Sequence, residues 1–219
     1  MEIHDQVNVY VQGGGSSAGI KAAHEGAAQI GASSRELKDD EKSAVKELII
    51  AKDGIAIIVH PSNDVGDLTL DQIKGIFEGS ITNWKEVGGA DKEIIVVTRE
   101  EGSGTRGGFE EIVMDKDCPI ADNAIVQSST GAIKTIVMGD KNAIGYISLA
   151  ILDEKVKAIK VEGVEISKET INDKTYKVAR PFIYVTKGEP TALTKAFIDF
   201  VLSDEAQPII EEAGLVSVK

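Results

Sequence analysis

Short apolar runs alternate along the chain with segments whose apolar residues recur every three or four positions. The runs predict buried strands, which are expected at 55–59, 94–98, 143–148, 156–161 and 182–187. The segments between them have the spacing of amphipathic helices. Strands that alternate with helices predict an α/β fold with mainly parallel sheets flanked by helices.

Spacing and capping signals predict four of the helices. The first covers 39–50, the second begins at the capping-box sequence Thr69–Gln72, the third begins at 128–130, and the fourth follows Pro190. The residues expected on the buried faces of the first and fourth helices are Val45, Leu48 and Ile49, and Leu193, Phe197, Phe200 and Val201.

A glycine-rich loop lies near the start of the chain. Valines alternate with polar residues at 7–11, which predicts a strand that leads into Gln12–Ala23. Ser16 or Ser17 is expected to cap a helix that ends near Gly26. The loop has neither Walker-type nor dinucleotide-binding spacing, which disfavours a nucleotide as ligand.

A second glycine-rich loop, within Arg99–Phe109, carries the most chemistry. It lies where a predicted strand becomes a predicted helix, so backbone N–H groups point outward at the positive end of the helix dipole. Ser103 and Thr105 add hydroxyl donors, and Arg99 and Arg106 add guanidinium groups that suit a tetrahedral oxyanion. The sequence therefore predicts an oxyanion site here.

Five segments in a fixed order resemble a known family. They are Gln12–Lys21, Ile30–Lys38, Asp53–Pro61, Ile81–Trp84 and Arg99–Thr105. Together they resemble the substrate-binding proteins of bacterial and archaeal phosphate ABC transporters. The resemblance implies a two-lobed fold of the type II periplasmic-binding-protein kind with crossover hinge strands. It also implies that the protein closes on one inorganic phosphate and passes it to a membrane permease, without catalysis.

The resemblance also implies phosphate-binding residues one by one. Ser16 matches the serine at the first glycine-rich helix start, and Arg99 matches the arginine that pairs with the anion. Ser103, Gly104 and Thr105 match the second helix start. Three further candidates for contact with phosphate are Ser17, Arg35 and Arg106.

Ser34 is a departure from the pattern of some family members. It lies where they place an aspartate that accepts the proton of hydrogen phosphate, so Ser34 is expected to contact the anion without supplying that carboxylate. A carboxylate acceptor would reject fully deprotonated anions such as sulfate. Glu36, Glu100 or Glu101 is the candidate to supply an acceptor instead.

The expected domains are two lobes joined by crossing strands. The first lobe is expected to comprise 1–59 and 156–219, and the second lobe 60–155. The chain is then expected to hinge near 58–62 and 149–156, where it passes between lobes.

The beginning of the chain differs from the family pattern. The family starts with a strand, an anion loop and a helix before the segment that corresponds to Val7. We expect this chain to lack them, because Met1–Gln6 resembles the end of that helix. The first lobe would then have an open sheet edge, which favours self-association.

Composition narrows the function classes. The 219 residues carry a net charge of −12, which argues against nucleic-acid binding. The single cysteine, Cys118, cannot form an internal disulfide, and the three histidines lack metal-ligand spacing, so neither a metal nor a cofactor is expected. The first residues are too short and polar for a signal peptide, although the resemblance implies one upstream and an extracytoplasmic location.

Two alternatives remain open from the residues alone. Hydrogen-bond donors bind any tetrahedral oxyanion, so sulfate, molybdate or tungstate could be the ligand. An enzyme acting on phosphate esters would need a base, a nucleophile or a metal beside the glycine-rich loops. Only Glu100 and Glu101 are available there, and this disfavours an enzyme.

Overall fold

The computed structural model of the protein describes residues 7–114 and 118–219. Its helices are α1 Ser16–Glu25, α2 Asp39–Lys42, α3 Leu70–Glu78, α4 Gly104–Val113, α5 Thr130–Gly139, α6 Lys168–Asn172, α7 Ala192–Val201 and α8 Gln207–Glu212. Its strands are β1 Gly31–Ser33, β2 Lys46–Val59, β3 Asp67–Leu68, β4 Ile95–Arg99, β5 Ile125–Gln127, β6 Ala143–Ser148, β7 Lys157–Ala158, β8 Lys160–Val161 and β9 Ala179–Thr186. Short 3₁₀ turns cover Trp84–Val87 and Leu149–Ile151. The α/β architecture expected from the alternation is confirmed.

One long strand, β2, organises the main sheet. The strand order is β1-β9-β2-β6-β4-β5, with β7 also paired to β2. Residues 46–54 of β2 pair with β9, and residues 55–59 pair with β6. β2 pairs antiparallel with all its neighbours, whereas β4 pairs parallel with both β5 and β6. The sheet is therefore mixed instead of mainly parallel.

Two separate apolar clusters pack against this sheet. The larger cluster contains Ile55–Val59, all of them fully buried, and the aromatic side chains that pack on β6 and α4. The smaller cluster lies between α1 and β9, and its buried members are Ile20, Ala23, Leu37, Ile183 and Val185. Burial of apolar side chains on both parts of the sheet is the main favourable contribution to folding.

Local capping signals predict helix ends well. Thr69 accepts a hydrogen bond from the backbone N–H of Gln72, and Gly79 ends α3 in the left-handed conformation. Ser129 accepts a hydrogen bond from the backbone N–H of Ala132 and begins α5. α1 ends at Gly26 as expected, but its N-cap is Gly15 and not a serine.

The helix expected over 39–50 is wrong beyond Lys42. α2 ends there, and β2 begins at Lys46. Apolar residues at 45, 48 and 49 fit a helical face, but so short a window does not decide between helix and strand. Pairing with β9 decides it, beginning with the register pair Lys46 and Thr186.

Three other expectations about elements need correction. Residues 7–11 form no strand, and Tyr10 and Val11 are exposed, because alternation without a paired strand does not make a strand. The strand expected over 156–161 is split at Ile159, before which it pairs with β2 and after which it pairs with β3. Leu193 is 65% exposed, because α7 turns Thr194 and Ile198 inward instead. Met1–Gln6, which resembles the end of a family helix, lies outside the described residues.

Candidate functional site

The second glycine-rich loop joins β4 to the N-terminus of α4. Ser103 is the N-cap of α4, and its side chain accepts a hydrogen bond from the backbone N–H of Arg106. Gly102 has φ +83°, a left-handed conformation that favours glycine. Ser103 and Thr105 are both buried. The loop therefore holds hydroxyl groups and free helix N–H groups at one buried point.

The base of this loop is anchored by Tyr146 on β6. The Tyr146 hydroxyl lies 2.7 Å from Oγ1 of Thr98 and accepts a hydrogen bond from the backbone N–H of Arg99. Its ring stacks on Phe109 of α4, with ring centroids 4.3 Å apart. Burial raises the pKa of Tyr146 to about 12, so the hydroxyl stays protonated at neutral pH. Strand and helix are thus fixed on either side of the loop.

The first glycine-rich loop packs directly against the second. Gly15, the N-cap of α1, has φ +81°, and a Cβ added there would lie 2.8 Å from the carbonyl oxygen of Gly102. The backbone N–H of Ser17 donates to the same carbonyl oxygen over 3.4 Å. The N-terminal ends of α1 and α4 are therefore held side by side.

Ser16, Ser34 and Gly104 meet where these two helix ends join. The backbone N–H of Ser34 donates to Oγ of Ser16 over 3.0 Å. A Cβ at Gly104 would overlap with the hydroxyl oxygens of both Ser16 and Ser34. We call Ser16, Ser34 and Ser103–Thr105 the oxyanion cradle. These five are candidate residues from the sequence, and the fold brings them together.

Arg99 lies beside the cradle with its guanidinium group held by Glu100. Nε and one terminal nitrogen of Arg99 donate to the two carboxylate oxygens of Glu100, each over 2.8 Å. The same terminal nitrogen donates weakly to the carbonyl oxygen of Ser128. The hydrogen bond from Arg99 holds the pKa of Glu100 below its usual range. A contact between Arg99 and an anion stays a prediction.

The other candidate arginines also form ion pairs. Arg106 donates from Nε to Glu110 over 2.7 Å and from a terminal nitrogen to the carbonyl oxygen of Arg99. Arg35 is buried and donates to both carboxylate oxygens of Glu41 over 2.7 and 2.8 Å. The hydrogen bond from Arg35 lowers the pKa of Glu41. Arg35 also reaches Oγ of Ser17 at 3.4 Å, which links it to the start of α1.

Arg180 on β9 is the charged residue that sequence reasoning missed. It is 4% exposed, and Nε and Nη2 donate to Oδ2 of Asp53 over 3.1 and 2.8 Å. Its third nitrogen, Nη1, donates to the hydroxyl oxygen of Ser34 over 3.4 Å. Burial lowers the pKa of Arg180, and the charge of Asp53 opposes that shift. One signal was available, since Asp53 and Arg180 each interrupt an apolar strand.

Two adjacent glycines let α4 pack onto these arginines. A Cβ at Gly107 would lie 2.6 Å from Cδ of Arg35, and a Cβ at Gly108 would lie 3.1 Å from Cδ of Arg180. Larger residues would push α4 away from both side chains. The glycine pair therefore sets how closely the N-terminus of α4 approaches Ser34.

The charges around the cradle are locally balanced. Each of its four neighbouring arginines has a carboxylate partner, in the pairs Arg35–Glu41, Arg99–Glu100, Arg106–Glu110 and Arg180–Asp53. The groups left to attract an anion are the helix N–H groups and the hydroxyls. Such a set is suited to hold a tetrahedral oxyanion by hydrogen bonds, even on a protein with a net charge of −12.

Within residues 7–114 and 118–219, no group of three or more His, Cys, Asp or Glu side chains is placed to hold a metal ion. No helix in that part of the chain is long and apolar enough to cross a membrane.

Comparison with known proteins points the same way as the geometry. A family model described as a PBP superfamily domain matches residues 1–205. The phosphate-binding protein PstS of Bacillus subtilis (strain 168) is 35% identical over 223 residues, which cover 100% of this chain and 74% of the relative. PstS of Borreliella burgdorferi is 30% identical over 231 residues, which cover 100% of this chain and 82% of the relative.

Two solved structures are similar over almost the whole chain. One is a putative phosphate ABC transporter substrate-binding protein from Clostridium perfringens with bound phosphate. Its TM-score is 0.89 at 53% identity, and the match covers 94% of this chain and 85% of that one. The other is an ABC-type phosphate transport receptor from Vibrio cholerae, with a TM-score of 0.87 at 39% identity, 98% of this chain covered and 90% of that one.

Proposed function

This chain belongs to the PstS family of phosphate-binding proteins within the PBP superfamily, and from that premise we propose that it binds one inorganic phosphate ion at the oxyanion cradle. The observation that carries the proposal is the meeting of the Ser16 and Ser34 hydroxyls with the backbone of Gly104. At that point the ends of α1 and α4 direct N–H groups and positive dipole ends toward one place.

Ser103 and Thr105 complete the proposed set of phosphate ligands. Both are buried at the start of α4, where hydrogen bonds to an anion are stronger than in water. Arg99 lies within electrostatic reach of Arg180, and it would contact the phosphate by giving up part of its pairing with Glu100. Ser17, Arg35 and Arg106 support the loops in this proposal, through their contacts with Glu41, Glu110 and the backbone.

The proposed role is delivery of phosphate to the membrane permease of an ABC transporter, outside the cytoplasmic membrane. The Clostridium perfringens and Vibrio cholerae proteins are named as transport components, and this supports the same role here. The chain is proposed to bind phosphate without converting it, as its relatives are binding proteins by name.

Closure of two lobes around the anion is part of the proposal. The lobes are 1–59 with 156–219, and 60–155. The pairing of β2 changes from β9 to β6 between Gly54 and Ile55, which supports a division into two lobes and would place residues 55–59 with the second lobe. The two separate apolar clusters support two lobes as well, because each lobe needs a core of its own. The larger cluster combines residues of 60–155 with Ile55–Val59 and with buried residues between 156 and 178, so these would also pack in the second lobe.

A calorimetric titration of the purified chain with phosphate, sulfate and molybdate tests the proposal. Saturable binding of phosphate with one site per chain is the expected result. A matched control is Thr69→Ala, which removes the cap of α3 away from the cradle and should leave phosphate affinity unchanged. Tight binding of sulfate or molybdate with no binding of phosphate would reassign the ligand.

A further inference from the structure

Ser34 differs from the other cradle residues because its hydroxyl oxygen accepts a hydrogen bond from a buried cation, the guanidinium group of Arg180. Nη1 of Arg180 donates to Oγ of Ser34 over 3.4 Å. The remaining two donor atoms of that guanidinium group are taken by Oδ2 of Asp53. Nη1 of Arg180 is therefore directed at the cradle, while Nε and Nη2 are held by Asp53 within the sheet.

The pair Asp53 and Arg180 is built into the sheet. The two residues are register partners on β2 and β9, and their side chains are almost completely buried. Ser148, at the end of β6, donates a hydrogen bond to the second oxygen of Asp53 over 2.8 Å. The Arg180 guanidinium carbon also lies 5.5 Å from the centre of the Phe182 ring. These contacts fix the direction of Nη1.

The contacts of Ser34 decide how its hydroxyl can be used. Its oxygen accepts from Arg180, so the hydroxyl proton turns away from the guanidinium group. Its backbone N–H is engaged with Ser16, and Gly104 lies against its Oγ. The proton is then directed into the cradle, where it can be donated to an anion.

We infer that Arg180, held by Asp53, is a positioning residue that makes the Ser34 hydroxyl a hydrogen-bond donor to the bound phosphate. This inference rests on the proposed function. It also gives Ser34 a role of its own. Some family members have an aspartate at this position that accepts the proton of hydrogen phosphate, whereas Ser34 would donate a hydrogen bond to the anion. The arginine acts through Ser34 and is not itself a ligand of the anion.

Two conservative variants and their combination test the inference. Ser34→Ala removes the donor. Arg180→Lys keeps a positive charge opposite Asp53, but a lysine cannot present a fork to Asp53 and Ser34 together. Each single variant is expected to weaken phosphate binding about tenfold, and the double variant no more than either one. Tyr176→Phe is the control, because it removes a buried hydrogen bond to the carbonyl oxygen of Ile55 and should change thermal stability without changing phosphate affinity.

Calorimetric dissociation constants and thermal unfolding of each phosphate-free variant separate binding from folding. Parent-like affinity of Arg180→Lys or of Ser34→Ala would overturn the inference while leaving the proposed function intact. Penalties that multiply to about a hundredfold in the double variant would overturn it too, because the two residues would then act independently. Failure of the parent chain to bind phosphate would instead reject the proposed function.

If Arg180→Lys does not fold, a crystal structure of the parent chain with bound phosphate tests the same contacts of Ser34 directly. The expected result places Oγ of Ser34 within hydrogen-bond distance of both a phosphate oxygen and Nη1 of Arg180. A phosphate ion that contacts Arg180 directly, or that leaves Ser34 uncontacted, would overturn the inference.

Discussion

Gly104 is the residue at which the two halves of the cradle touch. Its Cα lies against the hydroxyls of Ser16 and Ser34, so an added methyl group would displace both. We predict that Gly104→Ala folds but binds phosphate at least about tenfold more weakly, because the two helix ends are forced apart. Calorimetry measures the affinity. Gly139→Ala is the matched control, since nothing lies within 4 Å of the position where its Cβ would be. Equal affinity of Gly104→Ala and the parent would contradict this geometry.

The ion pair of Arg35 and Glu41 predicts a pH dependence of stability. Arg35 lowers the pKa of Glu41 in the folded state, so the stabilisation is present above the unfolded pKa of about 4.3 and is lost as pH falls through the lower folded value. Glu41→Gln should reduce the free energy of unfolding at pH 7 by about 1–3 kcal/mol. It should also flatten the loss of stability below about pH 5. Urea unfolding at several pH values tests this, and parallel pH curves for parent and variant would contradict it.

At the level of single residues, the sequence predicted the candidate site residues that lie in loops and at helix starts, and it missed Arg180, which lies in a strand. Ser16 and Gly104 were predictable because glycine-rich helix starts are visible in a short window, whereas Ser34 was predicted from the family resemblance alone. Arg180 was not predicted, because its role depends on the register of β9 with β2 and on a partner 127 positions away. Long-range pairing of this kind has no local signal.

Among the elements, the N-terminus of α4 does two tasks, since Ser103 both caps the helix and lines the cradle. Ser129 caps α5 in the same way and provides a matched comparison. We predict that Ser103→Ala and Ser129→Ala each reduce the free energy of unfolding by about 1 kcal/mol. Only Ser103→Ala should also weaken phosphate binding. Denaturant unfolding and calorimetry on both variants check this, and equal phosphate affinities would show that Ser103 is a cap alone.

The elements that the sequence predicted best were those with local end signals. α3 has a capping box at its start and a left-handed glycine after it, and it forms where expected. The segment 46–50 was predicted as helix and is strand, because pairing with β9 outweighs an ambiguous apolar spacing. The strand predicted over 7–11 does not form, because these residues have no strand partner in the described part of the chain. Self-association through the first lobe stays a prediction.

For the whole molecule, the central question is whether the two proposed lobes move. β2 pairs with β9 over its first part and with β6 over its second, and Ser148 at the end of β6 is hydrogen-bonded to Asp53 at the middle of β2. We predict bending near 58–62 and 149–156, with a smaller radius of gyration when phosphate is bound. Small-angle scattering with and without saturating phosphate measures it. An unchanged radius in a sample that calorimetry shows to be saturated would contradict closure.

The two-lobed organisation was predictable only through the family resemblance. Apolar periodicity indicates an α/β fold, but it does not say that one 14-residue strand serves two parts of a sheet. That division arises from which strands pair with each part of β2, and those strands come from distant parts of the chain.

The most direct test of the account is an NMR titration of the ¹⁵N-labelled chain with phosphate. It observes the backbone N–H groups of the cradle themselves. We predict saturable shifts that are largest at Ser16, Ser34 and Ser103–Thr105, with one phosphate per chain. Sulfate at the same concentration serves as the comparison anion. Saturable binding whose shifts leave these five residues unchanged, or no saturable shifts at all, would contradict the assignment of the cradle as the phosphate site.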